Sequence, residues 1–436
     1  MKDNWGIFNP RVGFAWDVGG NGRTSIRASG GIATDFTISQ LFGGGASAPP
    51  WGFRVGVSNP SGGFDNPWSD YPGPIPVPYT YGSGSFDAFA IFAGFRKYDM
   101  KQPTVESWNL SIQRQLAPAW VASAAYMGST STHIWALQAQ NNAVYFPGAP
   151  VNGVCTAQGY TLRTTGTTCS TTSNTDVRRK LYLERPQDGQ FIGVLNDRED
   201  GGTGNYNGML LSIQRRASTG VSVGANYTWS HCIGLLNIFN NNEGGEYADA
   251  NNRDFDRGNC DSDRRHVLNL TAVAPAPQFA NRTLHAVASG WRLSGIYRFS
   301  TGSFLNPLLG EDRALMGDSR AGVQRPSQVL GDPYGNRSSI LTYLNASAFG
   351  RPALGTLGNM RPANIEGPGS WQLDAALSRE FKVGETQKLE FRGEGFNLTN
   401  SLRLLNPVAN FRNARFGQIT SSRDARVMQF ALKYLF

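Results

Sequence analysis

No run of about 18 apolar residues occurs in the 436-residue sequence, so no segment reads as a membrane-spanning helix. Charged residues are scarce, at 17 % against roughly 25 % in an average soluble domain, which argues against a charge-driven disordered chain. The net charge is +8, yet Lys and Arg never cluster in a long run, which argues against a nucleic-acid surface. No CxxC spacing is present, and His133, His231, His266 and His285 are the only histidines, a poor supply for zinc. GxSxG, HExxH and P-loop signatures are missing, so the chain is not read as an enzyme and no cofactor is expected. Residues Met1 to Trp5 lack the apolar core of a signal peptide. A repeat of about 40–50 residues, which a propeller would need, is not found.

What the chain does have is period-two alternation. Val12, Phe14, Trp16 and Val18 alternate with Arg11, Gly13, Ala15 and Asp17. Trp108, Leu110 and Ile112 alternate with Ser107, Asn109, Ser111 and Gln113, and Val221 to Ser230 repeats the pattern. Trp291, Leu293, Tyr297 and Phe299 do the same, as do Trp371 to Leu377 and Leu389 to Phe391. The end of the chain places Met428, Phe430, Leu432, Tyr434 and Phe436 on one face. Thr24, Ile26, Ala28 and Ile32 face away from Ser25, Arg27 and Ser29, and with weaker segments at 120–135, 206–217 and 264–275, about eleven strands are predicted.

Their connections alternate in length. Short turns fall near 19–23, 117–119, 218–220 and 383–386, with a medium one at 276–289. Long loops fall near 37–103, 136–205, 233–263, 305–369 and 399–425. A bilayer core offers the backbone no hydrogen-bond partners, so a spanning sheet must close on itself. Short periplasmic turns and long extracellular loops are the signature of such a barrel. A mean hydropathy of −0.34 is compatible with it, because only alternate residues meet lipid. The expected fold is therefore all-β: an antiparallel transmembrane β-barrel forming one unit over residues 1–436. An odd strand number, a start on the outer side and no visible signal peptide together suggest the C-terminal half of a 22-strand barrel. A large soluble β-sandwich is the competing fold.

Several stretches resemble the TonB-dependent outer-membrane receptors, in particular the Oar-like subgroup. Asn9 to Asp17 followed by Gly22 to Arg27 is similar to one hairpin of that family. Trp108 to Leu116 with Ala125 to Ser129 is similar to a second, and Tyr227 to Ser230 with Asp263 to His266 to a third. Glu390 to Asn400 and the terminal Phe436 resemble the closing strands. The resemblance runs over nearly the whole chain. It implies an integral outer-membrane protein whose extracellular loops bind a ligand, admitted when the TonB complex acts on a plug that this sequence lacks. Implied partners are outer-membrane lipid and lipopolysaccharide, the barrel assembly machinery, TonB and an extracellular ligand, with no nucleic acid. Competing functions are a structural or adhesive surface protein, a passive porin-like channel, and a secreted polysaccharide-binding β-protein.

Particular residues carry the expected chemistry. Phe430, Leu432, Tyr434 and Phe436 form the terminal aromatic strand that such barrels offer as an assembly signal; the same residues could simply face lipid. Lys388, Glu390, Arg392 and Glu394 share one face, expected in the lumen as a charge ladder. Trp51, Phe53, Trp68, Tyr71, Tyr79 and Tyr81 make a candidate ligand loop, or pack among themselves to order it. Cys155 with Cys169, and Cys232 with Cys260, are expected to form two loop disulfides. No metal site is expected beyond a weak calcium candidate at Asp254, Asp256, Asp261 and Asp263, where ordinary Asp-rich loop chemistry is the simpler reading.

Overall fold

The computed structural model describes residues 6–35, 60–70, 88–95, 99–216, 220–235, 247–317 and 324–436. Its largest element is a meander of eleven antiparallel strands, each paired with the next. These are β1 (Arg11–Asp17), β2 (Thr24–Thr34), β3 (Thr104–Ala117), β4 (Trp120–Ala139), β5 (Ile192–Arg215) and β6 (Ser222–Leu235). They continue as β7 (His266–Pro275), β8 (Trp291–Ser300), β9 (Ser370–Lys382), β10 (Lys388–Phe396) and β11 (Val427–Leu435). Among the described residues β1 and β11 are the two edges of this sheet and do not pair with each other.

The register explains why these residues form a wall. Trp16, Ile26, Ile112, Ala124, Leu211, Tyr227, Leu268, Phe299 and Trp371 are successive cross-strand partners from β1 to β9. One residue away lies a second row: Ser25, Gln113, Ser123, Ser212, Asn226, Asn269, Arg298 and Gln372. One face is thus apolar across nine strands and the other is polar across eight. A one-residue slip in any strand would break both rows, so side-chain chemistry fixes the register. Polar partners also bond across the strands: Asn109 Nδ2 donates to Ser29 Oγ at 2.6 Å, and the Ser123 and Ser212 hydroxyls meet at 2.7 Å. On the apolar face Val12, Phe14, Leu110, Ile112, Leu293, Phe430 and Leu432 are exposed. The Trp108 ring lies over Gly128, where an added Cβ would come within 2.6 Å of it.

The core sits elsewhere. Leu305, Tyr343, Leu344, Ala348, Phe349, Met360, Ile365, Phe416 and Ile419 form a buried cluster drawn from the last two long connections. A second cluster, Val144, Phe146, Cys155, Leu162 and Cys169, lies in the connection between β4 and β5. Because successive turns of a meander alternate between its two ends, all the long connections fall at one end. Their described parts make a folded layer at that end of the wall.

The structure departs from the sequence expectation at four points. The described residues contain nineteen strands in all, because eight short pieces of two to six residues lie in the connections, without the sustained alternation that reveals a strand in sequence. β4 and β5 run on through residues 136–139 and 192–205, which the alternation assigns to a loop. There Ala136, Leu137 and Gln138 are all buried, so both faces are covered and the alternation disappears. Cys232 stands on β6 rather than in a loop. The medium turn between β7 and β8 contains a helix, α1 (Arg282–Ala288).

Candidate functional site

The long connections build the layer at one end of the wall. Its parts are joined by buried polar side chains. Arg178 is fully buried, with 0 % exposure. Its Nη1 donates to the carbonyls of Val144 at 2.7 Å and Leu315 at 3.0 Å, which ties the β4–β5 connection to the β8–β9 connection. Its Nη2 donates to Thr171 O and its Nε to Asn174 Oδ1. Burial lowers the Arg178 pKa to about 10, with nearby Asp312 opposing the shift. Arg179 adds donations to Asn141 O and Gly317 O.

A second tie links the β6–β7 and β8–β9 connections. Arg325 Nη1 donates to Asp256 Oδ1 at 2.8 Å, and both side chains are buried. Asp256 Oδ2 also accepts from Ala248 N at 2.9 Å, while Arg325 donates to Met360 O and Phe255 O and stacks on the Phe255 ring. Burial pushes the Asp256 carboxyl up, and Arg325 offsets part of that. Every strong donor and acceptor here is used within the layer, so the pair fixes geometry rather than awaiting a substrate.

Disulfides close two of the loops. Cys155 and Cys169 are bonded inside the second buried cluster, and Cys232 on β6 is bonded to Cys260. A polar cleft of about 540 Å³ is lined by Gln138, Ala250, Asn251, Asn252, Arg253 and Asp254. Arg253 forms an ion pair there with the buried carboxylate of Glu199. Amides, a guanidinium and a carboxylate around an open cleft can hold a polar, hydroxyl- or amide-bearing ligand.

The other predicted residues are placed as follows. Trp51, Phe53, Tyr71, Tyr79 and Tyr81 lie outside the described residues; Trp68 lies within them and is partly buried. Lys388, Glu390, Arg392 and Glu394 share the polar face of β10, where Lys388 pairs with Glu380 at 3.2 Å and Arg392 with Glu394 at 2.5 Å. Glu390 stands opposite Lys433 of β11. Phe430, Leu432 and Tyr434 lie on the apolar face of β11, and Phe436 just beyond it is 96 % exposed. The four aspartates are not brought together: Asp256 is taken by Arg325, and Asp263 lies beside Arg265 at 3.5 Å. Among the described residues no group of three or more His, Cys, Asp or Glu is arranged to hold a metal ion. Sequence reasoning missed Arg178, Arg325 and the partnership of Asp256, because nothing local distinguishes a buried arginine from a surface one.

A wall with an apolar outer row, a polar inner row and a folded layer at one end is the architecture of an outer-membrane β-barrel protein. Residues 1–429 match the family described as outer membrane beta barrel domain, and the chain belongs to that family. It is an integral outer-membrane protein. No curated protein matches the sequence. In structure the chain is similar to the outer membrane transporter YddB from Escherichia coli, with a TM-score of 0.52 at 10 % identity, covering 98 % of this chain and 40 % of that one. It is also similar to BauA, the ferric preacinetobactin receptor from Acinetobacter baumannii (TM-score 0.41, 11 % identity, 98 % and 36 % covered). A further neighbour is the ferripyoverdine receptor of the Pseudomonas aeruginosa outer membrane (TM-score 0.41, 10 % identity, 98 % and 32 % covered). The chain thus spans two fifths or less of the length of these neighbours.

Proposed function

We propose that the chain is the wall and loop layer of a TonB-dependent, Oar-like transporter, which binds its ligand with the extracellular layer. In the whole protein TonB would then pull a plug to admit the ligand. The carrying observation is the pairing of a lipid-compatible wall with a rigid, cross-linked layer at one end only. A passive channel needs the wall but gains nothing from a layer fastened by Arg178, the Asp256–Arg325 pair and two disulfides. A receptor needs a preorganised surface, because ordering loops at the moment of binding lowers affinity. The likeness to YddB supports the fold of this reading.

Topology supports a larger wall. In a meander of eleven antiparallel strands, β1 and β11 run in the same direction. An antiparallel closed barrel therefore needs an odd number of further strands, and eleven would give the 22-strand size whose lumen holds a plug. Lys388, Glu390, Arg392 and Glu394 would then face that plug as a charge ladder, and the terminal strand ending at Phe436 would be read by the assembly machinery.

The test is crosslinking of the full-length protein to TonB in cells, together with conductance of the purified protein in a planar bilayer. TonB adducts with little conductance are expected. Steady conductance without adducts would instead make it a porin-like channel. Neither adducts nor conductance would make it a surface-display or adhesive protein.

A further inference from the structure

The helix α1 lies in the turn between β7 and β8, at the end of the wall opposite the long connections. Asn281 caps it, accepting from Thr283 N and Leu284 N. Leu284 and Val287, three residues apart and so on one side of the helix, are 50 % and 66 % exposed. In water, two exposed aliphatic side chains on so short a helix would have nothing to hold them.

The neighbours of α1 show which side of the wall it occupies. Arg379 of β9 falls in the alternation Trp371, Leu373, Ala375, Leu377, Arg379, Phe381, which is the apolar face. Its cross-strand partners on that face are Trp291 and Phe391. The Arg379 guanidinium donates to Ala286 O at 2.7 Å and Val287 O at 3.0 Å, satisfying the carbonyls at the end of α1. It also stacks over Trp291 at 5.6 Å and Phe381 at 4.7 Å. Trp291 Nε1 donates to Val287 O at 2.8 Å. Since Arg379 and Trp291 both point outward, the helix they hold lies against the outer, lipid-facing surface and not beneath the lumen.

We propose that α1 is an interfacial anchor, resting in the headgroup region of the periplasmic phospholipid leaflet with Leu284 and Val287 dipping toward the acyl chains. The occupant follows from continuity: this surface extends the apolar rows of β8 and β9. The charge fits as well, because Arg282 and His285, also three residues apart, offer cationic or polar groups to phospholipid headgroups. Arg379 becomes tolerable on a lipid-facing row because α1 supplies its acceptors at the rim, where aromatic side chains of the belt also sit.

The proposal rests on the wall reading, and its test separates the two. All four native cysteines are in disulfides, so a nitroxide attaches only to an introduced thiol. Leu284→Cys and Val287→Cys are labelled in vesicles of phosphatidylethanolamine and phosphatidylglycerol. Leu293→Cys on the wall serves as the lipid reference and Asn21→Cys in the first short turn as the water reference. The expected result is that labels at 284 and 287 collide with oxygen in preference to a water-soluble nickel chelate, as at 293. Labels at 284 and 287 that behave like 21 while 293 stays in lipid would overturn the anchor alone; a water-like 293 would overturn the wall and the anchor together. In an Arg379→Ala background the label at 284 should shift toward water while that at 293 does not. No shift would overturn the pinning by Arg379.

Discussion

The wall and the layer above it solve the same problem in opposite ways. In the wall, large apolar side chains such as Phe14, Leu293, Phe430 and Leu432 are exposed, and backbone pairing with neighbouring strands supplies the order. In the layer, apolar side chains such as Phe349, Met360 and Ile365 are buried against one another, and short strands of two residues contribute little. The wall leaves its apolar surface for lipid to cover, while the layer covers its own, as a water-soluble domain does. Polar side chains invert in the same sense. On the wall they form an open row, whereas in the layer Arg178, Asp256 and Arg325 are buried and fully partnered. Burial tracks the solvent that each region meets.

The largest expected break in this contrast comes from the buried ion pair. Arg325→Met leaves the buried Asp256 without its counter-ion, at a cost of about 3–5 kcal/mol to the layer. Hydrogen exchange should then rise around residues 247–260 and 324–366 while β7 to β9 stay protected. The double variant Asp256→Leu with Arg325→Met should recover most of the loss, because an apolar pair of similar volume carries no desolvation cost. A pair that mattered only through its charge attraction would show no such recovery.

Next in size is a charge on the wall. Leu270→Arg, on the apolar face of β7, should lower the free energy of unfolding, measured by denaturation in vesicles, by about 2–4 kcal/mol. Its neighbour Asn269→Arg, on the polar face, should cost far less. Equal losses at the two positions would contradict the assignment of the faces. The smallest effect is expected at Lys388. Its pair with Glu380 is solvent-exposed, and Lys388→Gln should cost about 0–1 kcal/mol by the same denaturation assay.

The two regions also differ in how far the sequence reveals them. The strand segments of the wall were legible because lipid on one side and water on the other impose a period of two on each strand. Residues 136–139 and 192–205 escaped because that difference ends where the layer covers both faces of β4 and β5. The layer was legible only in its cysteines. Its organising contacts join residues far apart, such as Asp256 with Arg325 and Arg178 with Leu315, and no local pattern records them. The candidate cleft was hidden for the same reason, since Gln138 on a strand end meets residues 250–254 from another connection.

The most direct measurement is a fluorophore scan along β7 in vesicles, with single cysteines placed at Asn226 and Tyr227 of β6 and at Leu268, Asn269, Leu270 and Thr271. Brominated acyl chains should quench the labels at 227, 268 and 270, and iodide should quench those at 226, 269 and 271. A scan in which both quenchers act evenly on all six positions, or in which the two sets exchange, would contradict a wall with lipid on one face and water on the other.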